Sequence, residues 1–276
     1  QELFRQEGFQ VEALAGALAE DALAERVRDV HLLGIRSRTQ VSARVLADSR
    51  RLLALGAFCI GTNQVDLAAA AERGVAVFNA PFANPRGVAE RVVAEVIALA
   101  RRLADRSREM HEGRWRKGVD SAREVRGKTL GIVGYGHIGR QVGVLAEALG
   151  MQVLFHDIAP RLPMGNNRPA ESLEAVLDRA DFVTLHVPET PLTRGMIGEA
   201  ELRRMKPGAF LLNLSRGSVV DLPALAAALR RGHLAGAAAD VFPEEPEGHA
   251  DDFATELRGL PNVILTPHIA GSTEES

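Results

Sequence analysis

The sequence has a single cysteine, Cys59, among its 276 residues. That excludes an intrachain disulfide framework and fits a reducing, cytoplasmic compartment. Cys59 lies in the apolar stretch 52–60 and reads as a small packing residue rather than a nucleophile. No apolar run approaches the ~20 residues of a membrane-spanning helix, so no membrane partner is expected. Neither sign of charge is in large excess: 33 basic against 36 acidic residues give −3, which offers nucleic acid no reason to bind. No metal site is expected. The one tryptophan, Trp115, sits in GRWRK at 113–117 and reads as part of a surface loop. There is no repeat of solenoid period and no low-complexity segment. What is present is ordinary for a globular chain, 46% hydrophobic and 25% charged, and long enough for one large or two modest domains.

The organising stretch is 130–150, LGIVGYGHIGRQVGVLAEALG. Residues 130–133 read as a buried strand. Gly134, Gly136 and Gly139 then give G-x-G-x-x-G before an apolar helical pattern. A second strand, 152–155, leads to Asp157, 23 positions after Gly134. Strand, glycine turn, helix, strand and acid is the order of a dinucleotide fingerprint. The first glycine permits the tight turn and the second lets backbone approach a pyrophosphate. The third lets the helix pack on the strand. The helix N-terminus offers N–H groups and a positive dipole end to phosphate. Asp157 suits a ribose 2′-hydroxyl and would repel a 2′-phosphate, which favours NAD over NADP.

Residues 1–83 read as a small α/β unit, with strands at 31–35, 52–58 and 75–78 and helices at 22–30, 42–47 and 66–73. Alternation of this kind implies a parallel sheet covered on both faces. Arg36, Ser37 and Arg38 follow the first strand and would stand at its carboxyl end, where guanidinium groups can pair with carboxylate or phosphate oxygens. Spacing alone also allows two solvated surface charges. The prolines of PFANPR, 81–86, mark a boundary or hinge. A helical stripe of Val88, Val92, Val96, Leu99 and Leu103 follows.

From residue 129 six strands are expected, at 130–133, 152–155, 182–186, 210–213, 236–241 and 263–266. With helical crossovers they make a doubly wound sheet. Each later strand ends in polar residues: His186-Val187-Pro188, then NLSRG at 213–217, DVFPEEP at 240–246 and Pro267-His268-Ile269. All would gather on one sheet edge. Hydride transfer from an alcohol carbon needs a base, and histidine suits that task. A carboxylate on the other ring nitrogen fixes its tautomer, and a fixed cation orients a carbonyl. His268, Glu245 and Arg216 can supply the three. Glu244 competes with Glu245, and a structural histidine is the plainer alternative.

GYGHIG at 134–139, SRG at 215–217, DVFPEEP at 240–246 and TPHIAGST at 266–273 resemble the D-2-hydroxyacid dehydrogenases. RSRT at 36–39, FCIGTNQVDL at 58–67 and VFNAPFANPR at 77–86 resemble members acting on a phosphorylated acid. The resemblance implies an α/β chain: a doubly wound Rossmann domain over 84–270 and a smaller, incomplete flavodoxin-like substrate domain over 1–83. Residues 271–276 would start the return to the substrate domain. Both ends are expected to be cut, with a substrate-domain strand before Gln1, a return helix after Ser276 and, in many members, a further serine-sensing domain. It implies NAD as cofactor, His268 as acid/base, Glu245 as its partner and Arg216 as the substrate-orienting residue. Cofactor contacts would come from Gly134, Gly136, His137, Ile138, Gly139, Asp157, His186, Val187, Pro188, Leu214, Ser215, Arg216, Asp240, His268, Ile269, Ala270 and Gly271. Arg36, Ser37, Arg38 and Asn84 would bind the small anionic 2-hydroxy or 2-oxo acid. Closure about 81–86 would exclude water, and the chain would form a homodimer or homotetramer. The implied reaction is oxidation of 3-phosphoglycerate to 3-phosphohydroxypyruvate. Alternatives are a hydroxypyruvate, glyoxylate, lactate or 2-oxoglutarate reductase of the same family, or a non-catalytic NAD-sensing protein on the same fold.

Overall fold

A computed structural model describes residues 1–118, 121–246 and 251–276. It divides into two compact units, Gln1–Ala83 and Asn84–Ser276. In the first, strands β1 (Leu32–Ile35), β2 (Ala54–Ala57) and β3 (Ala76–Asn79) form a parallel sheet in that order. Two of its helices start where the sequence offers an N-cap. The Ser42 side chain accepts from Val45 N, and Asp66 accepts from Ala69 N at 3.0 Å. Ile35, Val45, Leu46, Leu55 and Val75 make its core. The short helix Glu2–Gln6 buries nothing, which is why no periodicity announces it.

The second unit holds β4 (Thr129–Val133), β5 (Gln152–His156), β6 (Arg168–Pro169), β7 (Phe182–Leu185), β8 (Ala209–Asn213), β9 (Leu234–Ala239) and β10 (Val263–Leu265). Their order is β10-β9-β8-β7-β4-β5-β6, and every pairing is parallel. The chain runs outward from β4 to β6, returns to the other side of β4, and runs outward again. The order reverses between β4 and β7, so the crevice beyond their carboxyl ends is where a ligand belongs. The sequence pattern predicts six strands, and the described residues form seven. The extra one, β6, pairs through two residues only and contains a proline, so it carries no strand pattern.

Both sheet faces are apolar, as parallel sheets require. Leu130, Ile132, Phe182, Phe210 and Leu212 pack toward the helices Pro85–Arg101 and His137–Ala148. Val133, Val183, Leu185 and Leu211 pack toward the opposite layer, which includes Val176, Leu202 and Leu225. Phe182 and Phe210 stack across neighbouring strands with centroids 4.6 Å apart. Each such side chain, fully buried, contributes roughly 1.5–3 kcal/mol.

The expected stripe on the first long helix is cut short. Arg102 adopts a left-handed φ of 52°, the helix ends at Arg101, and Leu103 starts a second helix, Leu103–His111, with its side chain exposed. The break places Asp105 inside, where it accepts from Arg102, Arg108 and the backbone N of Asn262. Asn262 donates in turn to Ala235 O and Leu99 O. This network anchors the chain just before β10, and so fixes the start of the segment that carries His268.

Candidate active site

The glycine turn is built by close backbone contact. Gly134 has φ 91°, and a Cβ there would lie 2.4 Å from His186 O. At Gly139 a Cβ would lie 2.3 Å from Gly134 O. Any larger residue would push the helix off the turn. Gly136 differs: a Cβ there would meet nothing within 4 Å, so the turn opens onto free space. Gly136 is also the N-cap of His137–Ala148, and no side chain caps that helix. An uncapped twelve-residue helix facing open space fits a pyrophosphate.

Asp157 follows β5 and accepts from Tyr135 N at 2.8 Å and from Ala159 N at 2.9 Å. Its carboxylate thereby borders the glycine turn. Asp157 also lines a cleft of about 330 Å³ together with Ile158, Ala159, Pro160, Arg161 and Ala170. The loop beyond is held by a network that sequence reading misses. Tyr135 stacks on Phe155, and its hydroxyl donates to Asn167 Oδ1 and accepts from Met164 N. Asn166 and Asn167 both donate to Glu147. The tyrosine inside the glycine motif is the available signal, since a buried phenol needs partners.

At the end of β7, the His186 Nε2 lies 3.0 Å from Thr184 Oγ1, and its Nδ1 is buried without a hydrogen-bond partner. Burial pushes the imidazole down to about 3, so the ring is neutral. Val187 stands beside the first glycine, where a Gly134 Cβ would come 3.0 Å from its Cγ1. Pro188 is exposed enough for its carbonyl to accept from Thr193 at the surface.

Beyond β8, Leu214 and Ser215 are buried, and Asn213 accepts from both the N and the hydroxyl of Ser215. Arg216 donates to Ser215 O at 2.7 Å, and its own carbonyl accepts from Asn213 Nδ2. Gly217 lets this turn touch the loop after β9: a Cβ on it would fall 1.9 Å from the carbonyl carbon of Phe242. That loop carries Glu245, whose Oε1 accepts from Phe242 N.

Glu245 Oε2 lies 2.7 Å from His268 Nδ1. Of the two candidate glutamates, Glu245 is thus the one paired with the ring. The hydrogen bond to Glu245 is the largest influence on His268 and raises its pKa, against burial and the Arg216 charge. Burial acts most strongly on Glu245 and would raise it, but the bonds from His268 and Phe242 N and the Arg216 charge together hold it below the ordinary carboxylate value. Arg216 therefore acts electrostatically on both members of the pair.

His268 sits at φ 54°, a left-handed conformation uncommon for a residue with a Cβ. Asp240 holds it there. The Asp240 carbonyl accepts from His268 N, and its buried carboxylate accepts from Thr266 Oγ1, Ile269 N and Ala270 N. Asp240 thus reaches the site through the backbone of the 266–270 turn. Gly271 packs on Asn84, where a Cβ would fall 2.2 Å from Nδ2, and the Asn84 Oδ1 is buried without a partner. Arg36, Ser37 and Arg38 stand in the first unit, exposed and just past β1. Among the described residues neither guanidinium has an ion-pair partner, and no group of His, Cys, Asp and Glu could hold a metal ion.

A family model described as D-isomer specific 2-hydroxyacid dehydrogenase, NAD binding domain, matches residues 93–270. The chain belongs to this family. D-3-phosphoglycerate dehydrogenase of Dictyostelium discoideum is 57% identical over 99% of this chain and 67% of its own length. A crystal structure of a Thermus thermophilus protein is 36% identical with a TM-score of 0.87, covering 99% of this chain and 86% of that one. D-lactate dehydrogenase of Aquifex aeolicus, solved with NAD and lactic acid, is 30% identical with a TM-score of 0.81, covering 91% and 80%. The chain spans 60 to 67% of the length of the curated relatives it matches. The parallel α/β fold of the second unit is the family's NAD-binding fold.

Proposed function

We propose that this chain carries the catalytic part of a D-3-phosphoglycerate dehydrogenase, oxidising the C2 hydroxyl of 3-phosphoglycerate to 3-phosphohydroxypyruvate at the entry to serine synthesis. The observation that carries the reading is the 2.7 Å pair of His268 and Glu245 under the field of Arg216. Binding a dinucleotide alone requires no such acid/base pair. Residues 84–270 are the nucleotide domain in this reading, 1–83 the substrate domain and 271–276 the start of the return between them. The compartment is the cytoplasm, and the assembly is a homodimer or homotetramer.

NAD, when bound, would supply the hydride acceptor for C2. His268 takes the hydroxyl proton through Nε2, since Nδ1 faces Glu245. Glu245 stabilises the imidazolium that results. Arg216 orients the substrate and stabilises negative charge developing on the C2 oxygen. In the reverse direction protonated His268 donates. Gly134, Gly136, His137, Ile138 and Gly139 hold the pyrophosphate and Asp157 the ribose. The ends of β7 and β8 and residues 268–271 form the nicotinamide side. Arg36, Ser37, Arg38 and Asn84 take the anionic groups of the substrate.

The test is NADH oxidation by the full-length protein with phosphohydroxypyruvate against hydroxypyruvate. A preference of ~100-fold or more in kcat/KM corresponds to about 2.7 kcal/mol of phosphate recognition and supports this substrate. Equal or reversed preference would make the chain a general hydroxyacid reductase.

A further inference from the structure

Tyr135 stands between the first two glycines of the turn, and nothing in the dinucleotide fingerprint asks for a phenol there. It is fully buried. Its two ends hold the two ends of one loop. That loop, 157–167, leaves β5 and comes back to pair with it as β6. At the start of the loop, Tyr135 N donates to Asp157 Oδ2 at 2.8 Å. At its end, the Tyr135 hydroxyl donates to Asn167 Oδ1 at 2.9 Å and accepts from Met164 N at 3.2 Å. Between these pinned ends the loop is open to solvent, with Ile158 and Leu162 both exposed.

The helix after the turn is shaped to receive the same asparagine. Gly143 sits in its interior, where glycine is unfavourable. A Cβ at 143 would fall 1.8 Å from Asn167 Oδ1 and 3.5 Å from the Tyr135 ring. Asn167 is buried in that slot, and its Nδ2 donates to Glu147 Oε2, one turn further along the helix. The phenol–amide bond thus joins the glycine turn to the loop, and the slot joins both to the helix. One dinucleotide has to span the turn, where its pyrophosphate would lie, and Asp157, where its ribose would lie. A ligand that must order a loop as it binds loses affinity by the cost of that ordering. A loop clamped beforehand removes that cost.

We infer that Tyr135 is a positioning residue: with Asn167 it holds the loop that starts at Asp157 in register with the glycine turn, and so sets affinity for the dinucleotide without entering the chemistry. This rests on the reading of the second unit as the dinucleotide site.

The test uses the full-length protein, unmodified and as Y135F, N167A, Y135F/N167A and L202A. Y135F removes one oxygen and keeps the ring that stacks on Phe155. Without cofactor, trypsin is expected to cut after Arg161 faster in Y135F than in the unmodified protein. NADH titration by fluorescence should show a dissociation constant at least about threefold higher in Y135F and in N167A. The double variant binds no more weakly than N167A, since both changes break the same bond. At saturating substrate and cofactor kcat does not fall. L202A, in the opposite layer of the core, controls for general loss of stability and keeps the NADH affinity of the unmodified protein. A smaller rise in Y135F, unaltered cleavage after Arg161, additive losses in the double variant, a fall in kcat as large as the loss of affinity, or an equal rise in L202A overturns the inference. Failure of the unmodified protein to bind NADH overturns the dinucleotide reading itself.

Discussion

Arg216, Glu245 and His268 are each held before any ligand arrives: Arg216 on the Ser215 carbonyl, Glu245 on the Phe242 amide, and His268 on Glu245 and the Asp240 carbonyl. Arg36 and Arg38, in the other unit, are exposed and have no ion-pair partner among the described residues. The difference follows from what each set does in the proposed reaction. Groups that meet charge developing in a transition state work best when their orientation costs nothing at that moment. Groups that only capture an anion can be ordered by the anion, at the expense of up to about 2 kcal/mol of rotamer entropy per arginine. In the proposed reaction one set serves rate and the other affinity.

The strongest way to break this contrast is H268A. It is expected to lower kcat by about 10²–10⁴-fold, with a much smaller effect on NADH affinity measured by titration. A kcat within about threefold of the unmodified protein would remove His268 from the chemistry. D240A comes next. It deprives three donors of a buried, charged acceptor. Hydrogen bonds to charged groups are worth about 1.5–3 kcal/mol each, so urea unfolding should show a loss of about 3 kcal/mol after relaxation, with kcat falling too. Unaltered stability would mean that the 266–270 turn is held by something else.

The double variant R36A/R38A should behave oppositely. Its stability stays within about 0.5 kcal/mol, as at other exposed positions. Its kcat/KM for phosphohydroxypyruvate falls about 10–100-fold, and far less for hydroxypyruvate. Equal losses on both substrates would assign the arginines to the carboxylate.

The finest effect is in pH. Glu245 raises His268 above 6.5, so hydroxy-acid oxidation, which needs the neutral ring, falls off as pH drops through that raised value. E245Q should move the limb toward lower pH in a kcat/KM profile, and an unmoved limb would uncouple the pair. The pair's small contribution to stability follows the same logic. It fades as pH rises through the raised pKa of His268, and again as pH falls through the lowered pKa of Glu245.

The parts of this site that are legible in the sequence are those whose chemistry is local. Gly139 is required by a contact with Gly134 O inside the turn, Gly134 by its left-handed φ, and the spacing to Asp157 by one strand–helix–strand unit. The parallel sheet is legible because its strands are apolar on both faces. What stays hidden depends on distant pairings. Nothing near Asp240 shows that its carboxylate will collect amides from residues 269 and 270, and nothing near Asp105 shows that it will meet Asn262. The break at Arg102 is hidden for a related reason. Arginine is a good helix former, and the tertiary demand for Asp105 overrides local preference.

The left-handed backbone of His268 sets stability against activity at a single codon. A non-glycine residue in that conformation costs about 1 kcal/mol or more, which glycine would not. Replacing the histidine by glycine should therefore yield a protein that unfolds at higher denaturant than its alanine counterpart and turns over no faster. A screen that rewards only thermal resistance or expression would drift toward losing the ring, so engineering of this chain has to keep selection for turnover in every round.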